Sequence, residues 1–340
     1  MAVRPLAPAD TEAVWHFWNS NVENEELPYR MMSLAEFTEK FIAEPPSMEK
    51  YNLVYEQGDE IVGFANGVYL PDKNNAYVTM VLVAPEFRNH GIGTALYQML
   101  EDAFKHPATC AWHPLSLDHP IMFPPENVDI LFFNPINLEW IVPGTESHDH
   151  PNSPGVAMPS AAYEFFKKQG FTDLALQHSY YRPLADYKVA AEITHKTTEL
   201  REKGIEIALY DPELHDGFDE LFDDLENEQW RELITANVED EEGGAPVLIA
   251  SDNGKIVGFT GPLRVQDSKR GYFAGIGVHS EYRSLGAGKV LFTYLCKVLK
   301  DLGADYMTLF TGDTNPARRM YEANDFQIVK SWMDMRKALH

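Results

Sequence analysis

The sequence predicts two copies of one α/β domain in tandem, and three observations carry that prediction. The first is the stretch 272–300, where an apolar strand runs through Arg283-Ser284-Leu285-Gly286-Ala287-Gly288-Lys289 into a helix whose Val290, Leu291, Tyr294, Leu295, Val298 and Leu299 share one face. The second is the same design earlier, Val81-Leu82-Val83 followed by Arg88-Asn89-His90-Gly91-Ile92-Gly93-Thr94. The third is spacing: Arg88 and Arg283, like Gly93 and Gly288, stand 195 positions apart, which marks an internal repeat. In each copy the glycines let a backbone curl tightly, and the loop amides and helix N-terminus converge on one spot that suits a phosphate or pyrophosphate.

The elements follow in order. Residues 8–19 read as a helix with Val14, Trp15 and Trp18 on its apolar side, and 33–43 as a second, with Ser33 as N-cap and Glu36 completing a capping box. Residues 51–56 and 60–69 form a hairpin, 77–83 a third strand, and 91–105 the helix after the first loop. From Arg88 to Phe166 is 78 positions, against 38 from Arg283 to Tyr321, so the first copy carries about 40 extra residues, mainly the proline-rich 106–137. Its apolar load argues for an ordered lid or interface rather than disorder. Residues 138–142 read as a strand, 160–169 as a helix, 171–184 as closing strands and 186–203 as a linking helix. The second copy repeats the plan: strand 205–210, helix 212–236, strands 247–250 and 255–265, strand 272–278, strand 305–310, helix 315–324 and closing strands 326–335. The expected organisation is a first domain at 1–185, a linker at 186–204 and a second domain at 205–340.

The chain of 340 residues is 44% hydrophobic and 24% charged, ordinary for a globular protein, with a formal net charge of −24. Both halves are acidic, −14 for residues 1–185 and −10 for the rest, which makes nucleic acid an unsuitable partner. No apolar run approaches ~18 residues and no signal-peptide core precedes Asp10, so no membrane association is expected and the protein reads as cytoplasmic. Cys110 and Cys296 form no disulfide framework, in keeping with a reducing compartment. His148-Asp149-His150 lacks a distant partner pattern and reads as a loop, so no metal site is assigned.

Strand, Arg-x-x-Gly-x-Gly and helix is neither the dinucleotide fingerprint nor a Gly-Lys-Ser/Thr phosphate loop. Residues 81–93 and 276–289 instead resemble motif A of the GNAT superfamily of acetyl-CoA-dependent N-acetyltransferases. Asn315-Pro316-Ala317-Arg318-Arg319-Met320-Tyr321-Glu322-Ala323-Asn324-Asp325-Phe326 is similar to that family's motif B. The resemblance covers nearly the whole chain and implies, in each half, a mixed and mostly antiparallel twisted sheet flanked by helices. It implies that the amides of Arg88, Asn89, His90, Gly91, Ile92, Gly93 and Thr94, and of Arg283, Ser284, Leu285, Gly286, Ala287, Gly288 and Lys289, hold the pyrophosphate of coenzyme A. Backbone groups of Val81, Leu82 and Val83, and of Ile276, Gly277 and Val278, would pair with the pantetheine arm. Asn315 would touch the cofactor, and Tyr321 would protonate the departing thiolate after direct attack by a neutral amine. The first copy departs from the pattern, with Ser160 for the asparagine and Phe166 for the tyrosine, so it is expected to bind acyl-CoA or be vestigial while the second copy catalyses.

Two readings of Tyr321 stand at this point, an acid at the thiol or an aromatic of the core. Nine carboxylates lie between Asp211 and Glu228, interleaved with an apolar helical stripe, and most must face water. Glu226 or Glu228 could still receive a cationic amine, since the resemblance places the early helices beside the acceptor. The expected function is transfer of an acetyl group to a primary amine of a small molecule or peptide, by a monomer or homodimer. The alternative is an acyl-CoA-binding regulatory or scaffold protein without turnover. Neither the acceptor nor the general base is written in the sequence.

Overall fold

The computed structural model describes residues 2–25, 29, 31–43, 49–70, 75–105, 129–132, 140–141, 149–150, 155–240 and 243–338. Packing divides the chain into two compact units, Met1–His178 with Lys330–His340, and Ser179–Val329.

The first unit opens with β1 (Ala2–Pro5), which the sequence did not reveal because four residues ending in proline carry no period; pairing defines it, Val3 lying opposite Tyr55. Helix α1 (Thr11–Glu25) buries Val14 and Trp18. The capping box of α2 (Leu34–Phe37) is present: the Glu36 amide donates to Ser33 Oγ at 3.2 Å and the Ser33 amide to the Glu36 carboxylate at 2.8 Å. A π-helical turn, Thr38–Ile42, prolongs it and sets Phe41 with Phe37 against Phe64. Strands β2 (Glu49–Gln57), β3 (Glu60–Leu70) and β4 (Asn75–Val83) form an antiparallel meander. Helix α3 (Ile92–Lys105) packs Leu96, Tyr97, Leu100 and Phe104 on it. Strand β5 (Asp129–Phe132) runs parallel to the beginning of β4 alone, from Asn75 opposite Asp129 to Tyr77 opposite Leu131. Among the described residues no strand covers that side of Val81–Val83. Apart from β5, the 106–137 segment lies outside the described residues. A short pair, β6 (Trp140–Ile141) and β7 (Asp149–His150), precedes β8 (Val156–Met158), α4 (Ala161–Lys168) and β9 (Thr172–Pro183).

The second unit repeats the plan with α5 (Ala191–Glu202), β10 (Ile205–Leu209), α6 (Phe218–Leu225), α7 (Glu228–Val238), β11 (Leu248–Asp252) and β12 (Lys255–Thr260). The single helix expected at 212–236 is two: Glu226 takes a left-handed φ of 50° and Asn227 caps α7 by accepting from the Trp230 amide at 3.0 Å. The apolar stripe continues through that break, which hid it. The strand expected at 272–278 is reduced to its last three residues, and a separate short strand precedes it. β13 (Arg270–Gly271) pairs parallel with β15 (Tyr306–Gly312), whereas β14 (Ile276–Val278) pairs antiparallel with β12. Helix α8 (Ala287–Asp301), the short α9 (Arg318–Glu322) and β16 (Gln327–Ala338) complete the chain.

The compact units are not the sequence repeats, because the repeats exchange their ends. From Lys330 on, β16 belongs to the first unit, with Met333 opposite Val156 and Met335 opposite Phe132. In return Tyr180, Leu184, Tyr187, Ile193 and Leu200, which precede the second repeat, sit in the second core with Leu291, Phe292 and Tyr321. The sheets are mostly antiparallel, with parallel pairs at β4/β5 and β13/β15, and helices flank them, as expected.

Candidate active site

Strand register decides which main-chain groups of the second unit are offered. The His279 amide donates to the Val257 carbonyl at 2.9 Å, and in an antiparallel ladder residues alternate between facing the partner and facing away. Ile276 and Val278 therefore turn their N–H and C=O groups away from β12, toward the splayed side. Arg283 Nε donates to the Val278 carbonyl at 3.0 Å, folding the loop back over the strand end. The first unit has the same two bonds at the same offset: Ala84 to Val62 at 3.0 Å and Arg88 Nε to Val83 at 2.9 Å. Gly91 and Gly286 both take a left-handed φ, 81° and 88°, the turn that aims the first helical amides outward. Gly286 offers no side chain to cap α8, so those amides are left as donors.

A cleft of about 630 Å³ joins these groups. Ile276, Val278, Arg283, Gly286, Gly288 and Lys289 form one wall, and Pro316, Ala317, Arg319, Met320 and Ala323 the other. Gly277 and Ala287 are buried behind it and Ser284 is exposed, so these contribute main chain only. In the first unit the corresponding space is filled differently. A methyl group at Gly93 would stand 3.6 Å from the ring of Phe165, the counterpart of Met320, whereas at Gly288 it would meet only Val278.

Motif B is less simply placed. Asn315 already uses both ends of its amide, donating to Thr311 Oγ1 at 2.8 Å and accepting from the Ala317 amide at 2.9 Å, so it secures the start of α9. Ser160 does the same for α4, accepting from the Tyr163 amide at 3.2 Å. The Tyr321 ring is 5% exposed, in an aromatic cluster with Phe292, Phe273 and Tyr180, and does not line the cleft. Burial pushes its phenol up to about 12, with Tyr180 adding to the shift.

Three residues that the sequence did not single out shape the site. Asp224 accepts from the Ser280 amide at 2.7 Å and hydroxyl at 2.5 Å and lies 3.8 Å from Arg283; the Ser280 hydroxyl holds its carboxyl below the usual range. Trp230 Nε1 donates to the Ala274 carbonyl at 3.2 Å, and Thr260 Oγ1 donates to the Gly275 carbonyl at 2.9 Å, pinning the kink between β13 and β14. A Cβ on Gly275 would stand 2.5 Å from the Trp230 ring, so only glycine fits there. Glu226 and Glu228 are exposed at the junction of α6 and α7, where Glu228 pairs with Arg231 at 3.3 Å. Among the described residues no helix is long and apolar enough to cross a membrane, and no cluster of three or more His, Cys, Asp or Glu could hold a metal.

A strand that ends on a glycine loop and a helix, twice in one chain and splayed from its neighbour in the second unit, defines an acetyltransferase fold. The family model described as acetyltransferase (GNAT) family matches residues 12–116 and 209–326, and the chain belongs to that family. Among solved structures, a GCN5-related N-acetyltransferase from Sphaerobacter thermophilus is 17% identical, with a TM-score of 0.60 over 99% of this chain and 95% of that one. A tandem GNAT protein from the clavulanic acid biosynthesis pathway is 19% identical, with a TM-score of 0.54 over 99% of this chain and 98% of that one. The GCN5-related glucosamine N-acetyltransferase region of a fungal multi-domain GH3 β-N-acetylglucosaminidase is 18% identical, with a TM-score of 0.61 over 98% of this chain. This chain spans 38% of that protein's length. No curated protein matches the sequence.

Proposed function

We propose that the protein transfers an acetyl group from acetyl-CoA to a primary amine of a small molecule or peptide, by direct attack in a ternary complex at the second repeat. The observation that carries this reading is the cleft that runs from the splayed edge of Ile276 to the left-handed loop at Gly286. The amides of residues 287–289 would hold the pyrophosphate, and the polar groups of Ile276 would pair with the pantetheine arm as an added strand would. Because Ile276 N–H faces the splay, it is also a fixed donor for the developing oxyanion, with Trp230 and Thr260 holding the kink beside it.

Tyr321 remains the proposed group at the thiol, with its role refined. A phenol pushed up to about 12 is a weaker acid than an ordinary thiol at ~8.5, so it would stabilise the departing thiolate by donating a hydrogen bond rather than by handing over its proton. Asn315 acts through α9, as a positioning residue. Glu226 and Glu228 stay candidates for receiving a cationic acceptor amine. The first repeat is proposed to be vestigial for catalysis, since Phe166 stands where the second copy has Tyr321, with Phe165 beside Gly93 where the second copy has Met320.

Release of free thiol from acetyl-CoA across a panel of primary amines tests the reading. Turnover with at least one amine is expected. Tight coenzyme A binding without turnover on any of them would favour the non-catalytic acyl-CoA-binding alternative, which the burial of Tyr321 behind the cleft wall would then explain.

A further inference from the structure

Beside the cofactor cleft lies a second cavity of about 280 Å³, and the two share Lys289 and Ala323. Its far wall comes from the segment before the second repeat, which supplies Arg182, Tyr187 and Lys188, while α8 and the turn after α9 supply the near wall. A coenzyme A held with its pantetheine along Ile276 and its pyrophosphate at residues 286–289 would leave its nucleoside end to be received near Lys289, which this cavity adjoins. We infer that this cavity takes that nucleoside end and that Arg182 and Lys188 receive the 3′-phosphate of its ribose. The inference rests on the acetyl-CoA reading.

Arg182 is built for an anion and incompletely used. Its side chain is 11% exposed, and Nη1 donates to the Pro183 carbonyl at 2.9 Å and to Asp186 at 2.8 Å. Nε is buried without a partner, and Nη2 comes only within 3.9 Å of Asp325. A buried guanidinium with donors to spare is costly, and a phosphate matches its fork. Tyr187 fixes it in place, its ring 5.8 Å from the guanidinium and its hydroxyl donating to Asn324 Oδ1 at 2.5 Å. The carboxylates that face these cations are themselves exposed: Asp186 at 73%, Asp325 at 82%, and Glu192, the partner of Lys289, at 69%. Such pairs are weak and would yield to a phosphate dianion. In a chain of net charge −24, Arg182, Lys188, Lys289, Arg283 and Arg319 nevertheless gather on two adjoining cavities. The stem of Lys196 crosses Gly286, its Cε 2.8 Å from where a Cβ would sit, so the segment before the second repeat reaches the phosphate loop as well.

Calorimetric titration of the full chain with coenzyme A and with 3′-dephospho-coenzyme A tests this. The native protein is expected to bind the dephospho form about tenfold or more weakly, the loss of a charge-assisted contact. Arg182→Gln and the exposed Lys188→Ala are each expected to weaken coenzyme A binding and shrink that discrimination; Lys188→Ala serves if Arg182→Gln fails to fold. Equal affinity of the native chain for both ligands would overturn the inference while leaving the cofactor reading intact. Full discrimination retained by both variants would also overturn it. If coenzyme A itself did not bind, the cofactor reading would fall and take this inference with it.

Discussion

Tyr97 and Phe292 stand 195 positions apart, and each meets the aromatic of its motif B helix: Tyr97 lies 6.1 Å from Phe166, and Phe292 lies 5.0 Å from Tyr321. The two copies thus keep one hydroxyl in the same aromatic pair but place it on opposite partners. In the first unit the Tyr97 hydroxyl accepts from Lys337 at 3.3 Å, which binds it into a structural network, while the Tyr321 hydroxyl makes no such bond among the described residues. The substitution Tyr321→Phe is therefore expected to keep the fold and lower kcat about a hundredfold with little change in the KM for acetyl-CoA, read by thiol release. An unchanged kcat would assign Tyr321 to the core alone. Asp334 has its Oδ1 buried without a partner, and burial pushes its carboxyl up, against a hydrogen bond from Gln177. A raised folded pKa means that this group's contribution to stability is greatest below the carboxyl's ordinary range and declines as pH rises through the folded value. Asp334→Asn should accordingly raise the melting temperature at pH 7, with a gain of about 1 kcal/mol that shrinks toward pH 3.5. A gain that did not depend on pH would point to packing instead.

The two glycine loops share a left-handed glycine, Gly91 and Gly286, in different surroundings. Gly91→Ala and Gly286→Ala place a methyl at the same left-handed φ, a strain of about 1 kcal/mol in each, and the second also drives the methyl into Lys196. If only the second cradle serves the cofactor, Gly286→Ala should raise the KM for acetyl-CoA at least tenfold and Gly91→Ala should leave it unchanged. Steady-state kinetics on both variants decides it, and equal effects would restore a cofactor role to the first copy. The kink between β13 and β14 makes a matching case. Trp230→Phe keeps the ring over Gly275 but removes the donor to the Ala274 carbonyl, so kcat should fall more than KM rises. Both loops were legible in the sequence because glycine spacing and repeat offset are local. The kink was not, since what divides residues 270–278 is a choice between partners, β15 for one end and β12 for the other.

For the whole molecule, the exchange of chain ends makes a strong claim about independent folding. The second core contains Tyr180, Leu184 and Leu200, each at most 1% exposed, and the first contains Met335, fully buried. A chain cut to residues 205–340 would lose those three residues from its core, at ~2–5 kcal/mol for each large side chain removed, more than a small domain can spare. That fragment is expected to show no cooperative thermal transition by circular dichroism, while the full chain does. A cooperative fragment would mean that the repeat is a self-sufficient domain after all.

Local patterning determined the tandem arrangement, the two glycine loops, the capped helix after Ser33 and the family itself, because glycine spacing, apolar periodicity and repeat offset depend only on neighbours along the chain. Tertiary structure alone decided that Phe165 stands beside Gly93, that Tyr321 is buried among aromatic rings and does not line the cleft, and that Arg182, Tyr187 and Lys188 line the neighbouring cavity. Those outcomes depend on which distant side chains share a volume, and volume is not encoded in order.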